Sequence, residues 1–600
     1  MLTEFEEQQN PASIETQQHH ESGKSFQVSF FNDVQKVFNN FQKNPFELTT
    51  LTTISNTDAV FDDNVFYNIK QLETVGSTQL NTYVYDRLIT CRVPINKKIT
   101  LNHFILPGDE KSRKPQGSIV DKRLTQPFLV KLRAAIQYRR IHAQMLFKTE
   151  IFGSSQCLSI NSTTMYHGTK SNILQRIPDS IKPDTIPQST IIIDLSAVLR
   201  CTFNASTFHE FASEVYRHLL SLGEGYDRVD VVFDRYFKDS LKKQTRTSRG
   251  NAPTVSFNDD TRFPGDFRDT FLKNSTNKEN LSAYLAKKLL EIHSGQKIIV
   301  VTKDDTIGTN DNLLLSDPLI NSNSAEEADQ KLVRHMIQCV RSNTAKVVVR
   351  TVDSDVVMQL LAYRHRAGNF DSKVFVWFGT GKSTTFYDIN SVSNSFGQQQ
   401  CEALPFFVSF TGDDCCSSFF NHGKCQFWDK WMDFTDKQTL TEVFCKLSEK
   451  PTHVSDEQLS ILEEFVCFVY YTNFPTPVNI DRLRMRDFEH SAHNNLRFLP
   501  PSKNGLLQHS KRAAYEGGWV QRQCIENVDL PDPLLWGWSA MNDEFVPKWQ
   551  DVQDPIDAIK VVTATCSCAK AKCTNCVCSK QSLECLSFCK CQRHCLYQSV

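Results

Sequence analysis

The sequence predicts an α/β protein built on a doubly wound, mainly parallel sheet, with a helical region on each side of it and a small cysteine-rich module at the end. Three observations lead there. Between 190 and about 430, β-branched runs alternate with stretches of helical apolar spacing, the pattern of strands joined by crossover helices. The flanking regions carry helical spacing without that alternation. Nine of the 20 cysteines crowd into the segment from Cys566 to Cys595.

Six hundred residues exceed what a single core fills, so roughly two to four structural units are expected. Hydrophobic residues make up 40% and charged residues 22%, with 42 Phe, which fits globular cores rich in aromatic rings. Net charge is -1, so any contact with nucleic acid must use local basic patches rather than a global field. The acidic, polar start (MLTEFEEQQNPASIETQQHHESGK) has no apolar run of the secretory kind. No apolar stretch approaches the roughly 18 residues that span a bilayer, so a soluble, intracellular chain without membrane partners is expected.

Taken in order, residues 1–25 read as a disordered tail. Residues 26–170 read as mostly helical, through FNDVQKVFNNFQ, VFYNIKQLETV and TQPFLVKLRAAIQYRRIHAQMLF. RIPDSIKPDTIPQST marks 171–189 as a linker. The α/β unit, 190–435, runs STIIIDLSAVL (strand and turn), FHEFASEVYRHLLSL (helix), RVDVVFD (strand), NLSAYLAKKLLEIH (helix) and QKIIVVT (strand). AEEADQKLVRHMIQCV (helix), AKVVVRTV (strand) and KVFVWF (strand) follow. Residues 436–560 are helical and then Trp-rich, and 561–600 form the cysteine module.

Acids sit where the strands end: Asp194 after III, Asp234 after DVVF, and Asp353 and Asp355 after VVVRTV. Glu327 and Asp329, with Glu326 beside them, open the helix before that last strand, and Asp413 and Asp414 follow ALPFFVSFTG. In open α/β sheets, ligands collect beyond the carboxyl ends of the strands. Two carboxylates ~5 Å apart repel by about 3 kcal/mol at an effective dielectric near 20, so six or seven in one pocket would rival a fold stability of about 5–15 kcal/mol. Cations must then neutralise them. Hard oxygen ligands select Mg²⁺ or Mn²⁺, and two such ions about 3.5–4 Å apart suit phosphodiester cleavage. The competing reading is helix N-caps and solvated loops, where a helix dipole favours negative charge.

In order and context these residues resemble the PIN-like superfamily, especially the flap-endonuclease (XPG-type) nucleases. The resemblance rests on IIID, FDRYFKDSLKKQTRTSR, EEAD, TVDSD and FTGDD, across roughly 190–430. It implies a two-ion Mg²⁺ or Mn²⁺ site held by Asp194, Asp234, Glu327, Asp329, Asp353, Asp355 and Asp414, with Asp413 a bystander. Lys242, Arg246 and Arg249, at i, i+4 and i+7 with Lys243 adjacent, would share a helix face and steer the scissile phosphate; a solvated charged face is the alternative. Two departures stand out. Arg235 replaces the family's Gly after the second Asp, and the Gly-rich DNA-gripping hairpin is reduced to NHGK, with only Gly423. The chain also resembles full-length animal proteins that share FDRY, EEAD, TVDSDV, the FTG-x-D segment and a Cys-rich tail, a likeness that brings no activity with it.

WFGTGKST looks like a phosphate-binding loop, but Val376 stands where GxxxxGK[ST] needs its first Gly. The stretch joins two strand-like runs and reads as a β-turn. Cys415, Cys416, His422 and Cys425 read as packing rather than as metal ligands. Trp536, Trp538 and Trp549 could stack bases, though packing onto a neighbouring domain is the reading preferred.

The tail, CSCAKAKCTNCVCSKQSLECLSFCKCQRHC, reads as intracellular metal ligation rather than disulfides. Three tetrahedral zinc ions need twelve thiolate bonds. Cys566, Cys568, Cys573, Cys576, Cys578, Cys585, Cys589, Cys591 and Cys595 supply them if three of the nine bridge two metals. Six positive charges against nine thiolates leave a formal -3, which Lys570, Lys572, Lys580, Lys590 and Arg593 offset. His594 is a bystander. So polar a segment has no core of its own, so metal would supply its folding energy. The spacing resembles the tesmin-type CXC domain, a three-zinc module that binds DNA, although the gap from Cys573 to Cys576 is shorter than that family's. A structural knot or a protein-docking module is the alternative.

Together these readings describe a nuclear, DNA-associated, Mg²⁺- or Mn²⁺-dependent phosphodiesterase tethered by a zinc module, with RNA not excluded as substrate. The alternative is a catalytically inactive PIN-like DNA- or chromatin-binding protein of mobile-element origin.

Overall fold

A computed structural model describes residues 146–600 apart from 185, 235–252, 269, 304–305, 312–313, 315–316, 322–327, 382, 472–478, 491–495, 542–543, 552–555, 568–575, 582, 587 and 592–600. Before 146 it describes 28–35 without 33, 52–53, 56–60, 72–90, and 131–139 without 137. The chain divides into two compact units, Met1–Arg113 and Lys114–Val600. In the first, Thr52–Thr53 pairs antiparallel with Asn56–Val60, and a helix spans Leu72–Tyr83. That helix shares only residues 72–75 with the expected VFYNIKQLETV helix, whose earlier residues lie outside the described ones, and the strand pair stands in a region expected to be mostly helical. The expected tail, 1–25, lies outside the described residues.

The second unit is built on seven strands: β1 (Ser189–Asp194), β2 (Arg228–Val232), β3 (Ile298–Lys303), β4 (Thr306–Thr309), β5 (Lys346–Thr351), β6 (Lys373–Thr380) and β7 (Ser383–Asp388). Their order is β4-β3-β2-β1-β5-β6-β7. The five inner strands are parallel, and each edge strand is antiparallel to its neighbour. The chain winds outward from β1 to β3, then returns to β1's other side with β5. That reversal puts a topological switch point between β1 and β5, the place where such sheets bind ligands.

Both faces are covered, as the unbroken β-branched runs require. On one face Ile191, Ile193, Val229, Val231, Ile299 and Val301 pack with α1 (Phe208–Leu222) and α2 (Ser275–Ile292). On the other, Ile192, Val347, Val349, Val374 and Val376 pack with α3 (Ala328–Arg341), α4 (Ser354–Ala367) and α5 (Gln398–Phe410). This second core continues through α6 (Lys437–Leu447) and α7 (Asp456–Tyr470) to Trp536, Trp538 and Trp549. The boundary expected near 435 is therefore not a boundary between cores, and the three tryptophans are buried packing. The supposed linker 171–189 is likewise held down. Its 3₁₀ helix, Lys170–Arg176, buries Ile173 and Leu174 in the same core.

A buried ion pair lies within β2. Asp230, in the middle of β2, is fully buried and takes a two-pronged bond from Arg228 (2.7 Å for each oxygen). His335 Nδ1 of α3 lies 2.6 Å from Asp230 Oδ2, and its Nε2 pairs with Thr302 Oγ1 at 3.0 Å. Burial alone would raise the carboxyl, but Arg228 and His335 hold it below the usual range. Asp230→Asn leaves Arg228 buried without its counter-charge, so urea unfolding at pH 7 should show a loss of about 3–5 kcal/mol; an unchanged midpoint contradicts this account.

Candidate functional site

Asp194 closes β1 and N-caps the short helix Leu195–Leu199. Its Oδ1 accepts from Ser196 N (2.8 Å), and its Oδ2 accepts from Ser196 Oγ (2.7 Å) and Thr351 Oγ1 (3.2 Å). Burial lifts this carboxyl to about 7, and the neighbouring charge of Asp234 adds to the rise. Asp234, two residues past β2, accepts at 3.2 Å from Ala328 N, the first residue of α3, in whose first turn Asp329 lies. A carboxylate at a helix N-terminus gains from the dipole.

Across the switch point, Asp353 N-caps α4 by accepting from Asp355 N at 2.9 Å. Its own N–H donates to Thr351 Oγ1 at 3.1 Å. The Thr351 hydroxyl thus joins the acid ending β1 to the acid following β5. Asp414 approaches on the turn after α5. Gly412 has φ 108°, and a Cβ there would stand 2.0 Å from Ser418 Oγ, so the turn has room for glycine alone. Asp413 is buried and accepts from Cys415 N and Cys416 N (2.8 and 2.7 Å), whereas Asp414 faces Lys170.

Between those acids stands a lysine absent from the sequence reading. Lys170 Nζ lies 2.8 Å from Asp355, 3.4 Å from Asp414 and 3.7 Å from Asp353. Burial would depress this ammonium, but Asp355, Asp353 and Asp414 outweigh it and hold it above its ordinary range. One positive charge does not balance three negative ones. Burial and the Asp355 charge still raise Asp353 to about 6, against the pull of Lys170. A second lysine, Lys424, lies fully buried behind the acids, its Nζ 3.0 Å from Thr411 Oγ1, and burial lowers it to about 8.

The structure thus brings Asp353, Asp355 and Asp414 around one cation, and sets Asp194 beside Asp234 across the Thr351 bridge. Glu327, Lys242, Arg246 and Arg249 lie outside the described residues. Among the described residues no three acids bring ligand oxygens within 4.8 Å of one another. Asp194 and Asp353 also act as the helix caps that the competing reading expected. The GTGKST stretch ends β6 and begins β7, with Gly381 in the turn between them. Cys415 and Cys416 are buried, Cys425 Sγ bonds Asn172 O, and His422 packs on Tyr470.

The cysteine module offers a metal site of a different kind. Sγ atoms of Cys566, Cys578, Cys585 and Cys589 all lie within 4.8 Å of one another, and all four residues are buried. A zinc tetrathiolate with Zn–S near 2.3 Å has edges of about 3.8 Å. Cys566–Cys585 is 3.7 Å, and Cys578–Cys589 is 3.8 Å. These cysteines are free rather than disulfide-bonded, and the soft donors in this shape can hold a metal ion such as zinc. Cys591 stands 3.9 Å from Cys566, outside the four; Cys576, also described, caps the short helix Val577–Lys580. Cys568, Cys573 and Cys595 lie outside the described residues.

Among the described residues no helix is long and apolar enough to cross a membrane. No protein-family model matches the chain, and the comparison with curated proteins found no match.

Lys170→Met should test the charge balance. Lys170 is raised and the acids need it ionised, so its contribution is full at neutral pH; it fades as pH falls and Asp353 takes up a proton near 6. The urea midpoint of the variant should lie below wild type at pH 7.5, with the gap closing toward pH 5. A constant gap contradicts this.

Proposed function

We propose that the chain is a divalent-metal-dependent phosphodiesterase acting on DNA, with the PIN-like fold and the CXC-type zinc tail that its motifs resemble. The observation that supports it is the gathering of Asp353, Asp355 and Asp414 around a cation at the switch point, with Asp194 joined to them through Thr351. With all three acids ionised, the group keeps two negative charges after Lys170 is counted, so it favours a further cation. When bound, two Mg²⁺ or Mn²⁺ ions supply a water made nucleophilic and a stabilised leaving oxygen.

The chain's own residues orient that chemistry. Ser196 and Thr351 fix Asp194, and Thr351 together with the first turn of α4 fixes Asp353, so the carboxylates need little rearrangement. Asp234, Glu327 and Asp329 complete the ligand set in this reading. In this reading Lys170 would release these acids to the metal, and together with Lys242, Arg246 and Arg249 it would hold the scissile phosphate. The tail, with its three zinc ions, keeps the enzyme on DNA in the nucleus and raises local substrate concentration. Cys566 fits a bridging thiolate, being at tetrahedral edge distance from Cys585 within the four and from Cys591 beyond it.

A second reading, a non-catalytic DNA- or chromatin-binding protein of the same shape, is favoured by Lys170 itself. An ammonium among Asp353, Asp355 and Asp414 stands where an ion belongs, and the reduced NHGK hairpin fits the same view. Incubation of flap DNA, hairpin DNA and single-stranded RNA with Mg²⁺ or Mn²⁺ separates the two. The enzyme reading expects cleavage of at least one DNA substrate that Asp353→Asn lowers on the order of 100-fold or more. Equal cutting, or none by either protein, supports the second reading; cleavage of RNA alone moves the substrate class. Metal analysis of the purified chain should find two to three zinc ions, and fewer than about two contradicts shared thiolates.

A further inference from the structure

A distant part of the chain is fastened into the cysteine module. Arg139 is buried, and its guanidinium reaches three separate stretches of the tail. Nε donates to Glu584 O at 2.7 Å. Nη2 donates to Ala564 O at 2.8 Å and to Cys578 Sγ at 3.2 Å. Glu584 immediately precedes Cys585, Ala564 lies just ahead of Cys566, and Cys578 is itself one of the four clustered thiols. One side chain thus ties together the backbone stretches that present three of the four sulfurs.

The rest of that segment packs as a dock. Residues 131–136 are helical, and Ala134 and Ala135 lie against Cys566, Cys578, Cys585, Leu586, Cys589 and Cys591, with Tyr138 at the margin. The small alanine side chains leave room for the thiol cluster to sit close to the helix backbone. Further along, Leu146, Phe147 and Ile151 join Phe488, Leu499 and Ile559 in a small core. Leu132, on the same helix as Ala134 and Ala135, belongs to that core too, so this helix clasps the module to the helical body.

We propose that Arg139 is a positioning residue of the metal cluster: it orients the Cys566, Cys578 and Cys585 stretches and offsets thiolate charge through an N–H···S bond, with the 131–139 segment as the dock on which the module assembles. The proposal rests on the zinc reading above. An excess of thiolates over metal charge needs cations close by, and a planar guanidinium can serve a sulfur and two carbonyls at once, which a lysine ammonium on its flexible stem does not reproduce. Partners just outside a metal's ligands typically change its affinity 10- to 100-fold.

The test uses the full chain with Arg139→Gln and Arg139→Lys. Zinc affinity is measured by competition with a chromogenic chelator, and the cobalt-substituted protein reports the sulfur-to-metal charge-transfer band. The expected result is roughly 10-fold or greater weakening in Arg139→Gln with a shifted cobalt band. Partial recovery of both is expected in Arg139→Lys, which keeps the charge but not the fork. Stripping zinc from wild type should also speed amide exchange in residues 131–136. Unchanged affinity and an unchanged cobalt spectrum in Arg139→Gln overturn the positioning role while leaving the zinc cluster standing. A wild-type chain that binds no zinc overturns both.

Discussion

Crowded negative charge at the central edge of the sheet is the constraint around which the rest of this site is arranged. β1 and β5 are neighbours at the switch point, so the acids that end or follow them are forced together. The protein answers by three means. It spends backbone and hydroxyl donors on Asp194 and Asp353, it sets Asp234 against the N-terminus of α3, and it pulls Lys170 among Asp353, Asp355 and Asp414. Burial, with the neighbouring charges of Asp234 and Asp355 adding to it, still raises Asp194 to about 7 and Asp353 to about 6. A site so arranged favours another cation, which is the physical basis of the metal-dependent reading.

The same ammonium also sets that reading's limit. A lysine bonded to three acids satisfies them without any ion, and a protein that had given up catalysis would gain stability from such a contact. Whether divalent ions displace Lys170 is therefore the question on which enzyme and binding protein part. The cysteine module stands apart from this question, since its sulfur spacings and its dock on Arg139 owe nothing to the acids.

Much of the fold was legible because burial on both faces leaves a local trace. STIIID, RVDVV, KIIVVT and KVVVRT are apolar without alternation, and each is an inner strand. The polar edge strand Thr306–Thr309 carries no such trace and was missed. The 171–189 stretch looked like a linker because of its prolines, yet Ile173 and Leu174 are buried by contacts that sequence spacing does not reveal. At the site, strand-ending acids were visible as residues but their counter-charge was not. Lys170 lies in a polar HGTKSN stretch, and its partners at 353, 355 and 414 are remote in the chain. Thr351 passed as one more strand residue, and Arg139 as one of several basic residues on a helix. Long-range partners of this kind are properties of the fold, with no signature in local pattern.

The most direct test of the account is a Mn²⁺ titration of the full chain followed by electron paramagnetic resonance, on wild type and Asp355→Asn. Saturable binding that the substitution weakens at least 10-fold is the predicted result. Absence of saturable binding, or equal binding in both proteins, would show that Lys170 is the permanent occupant of the acids and that no divalent ion works there.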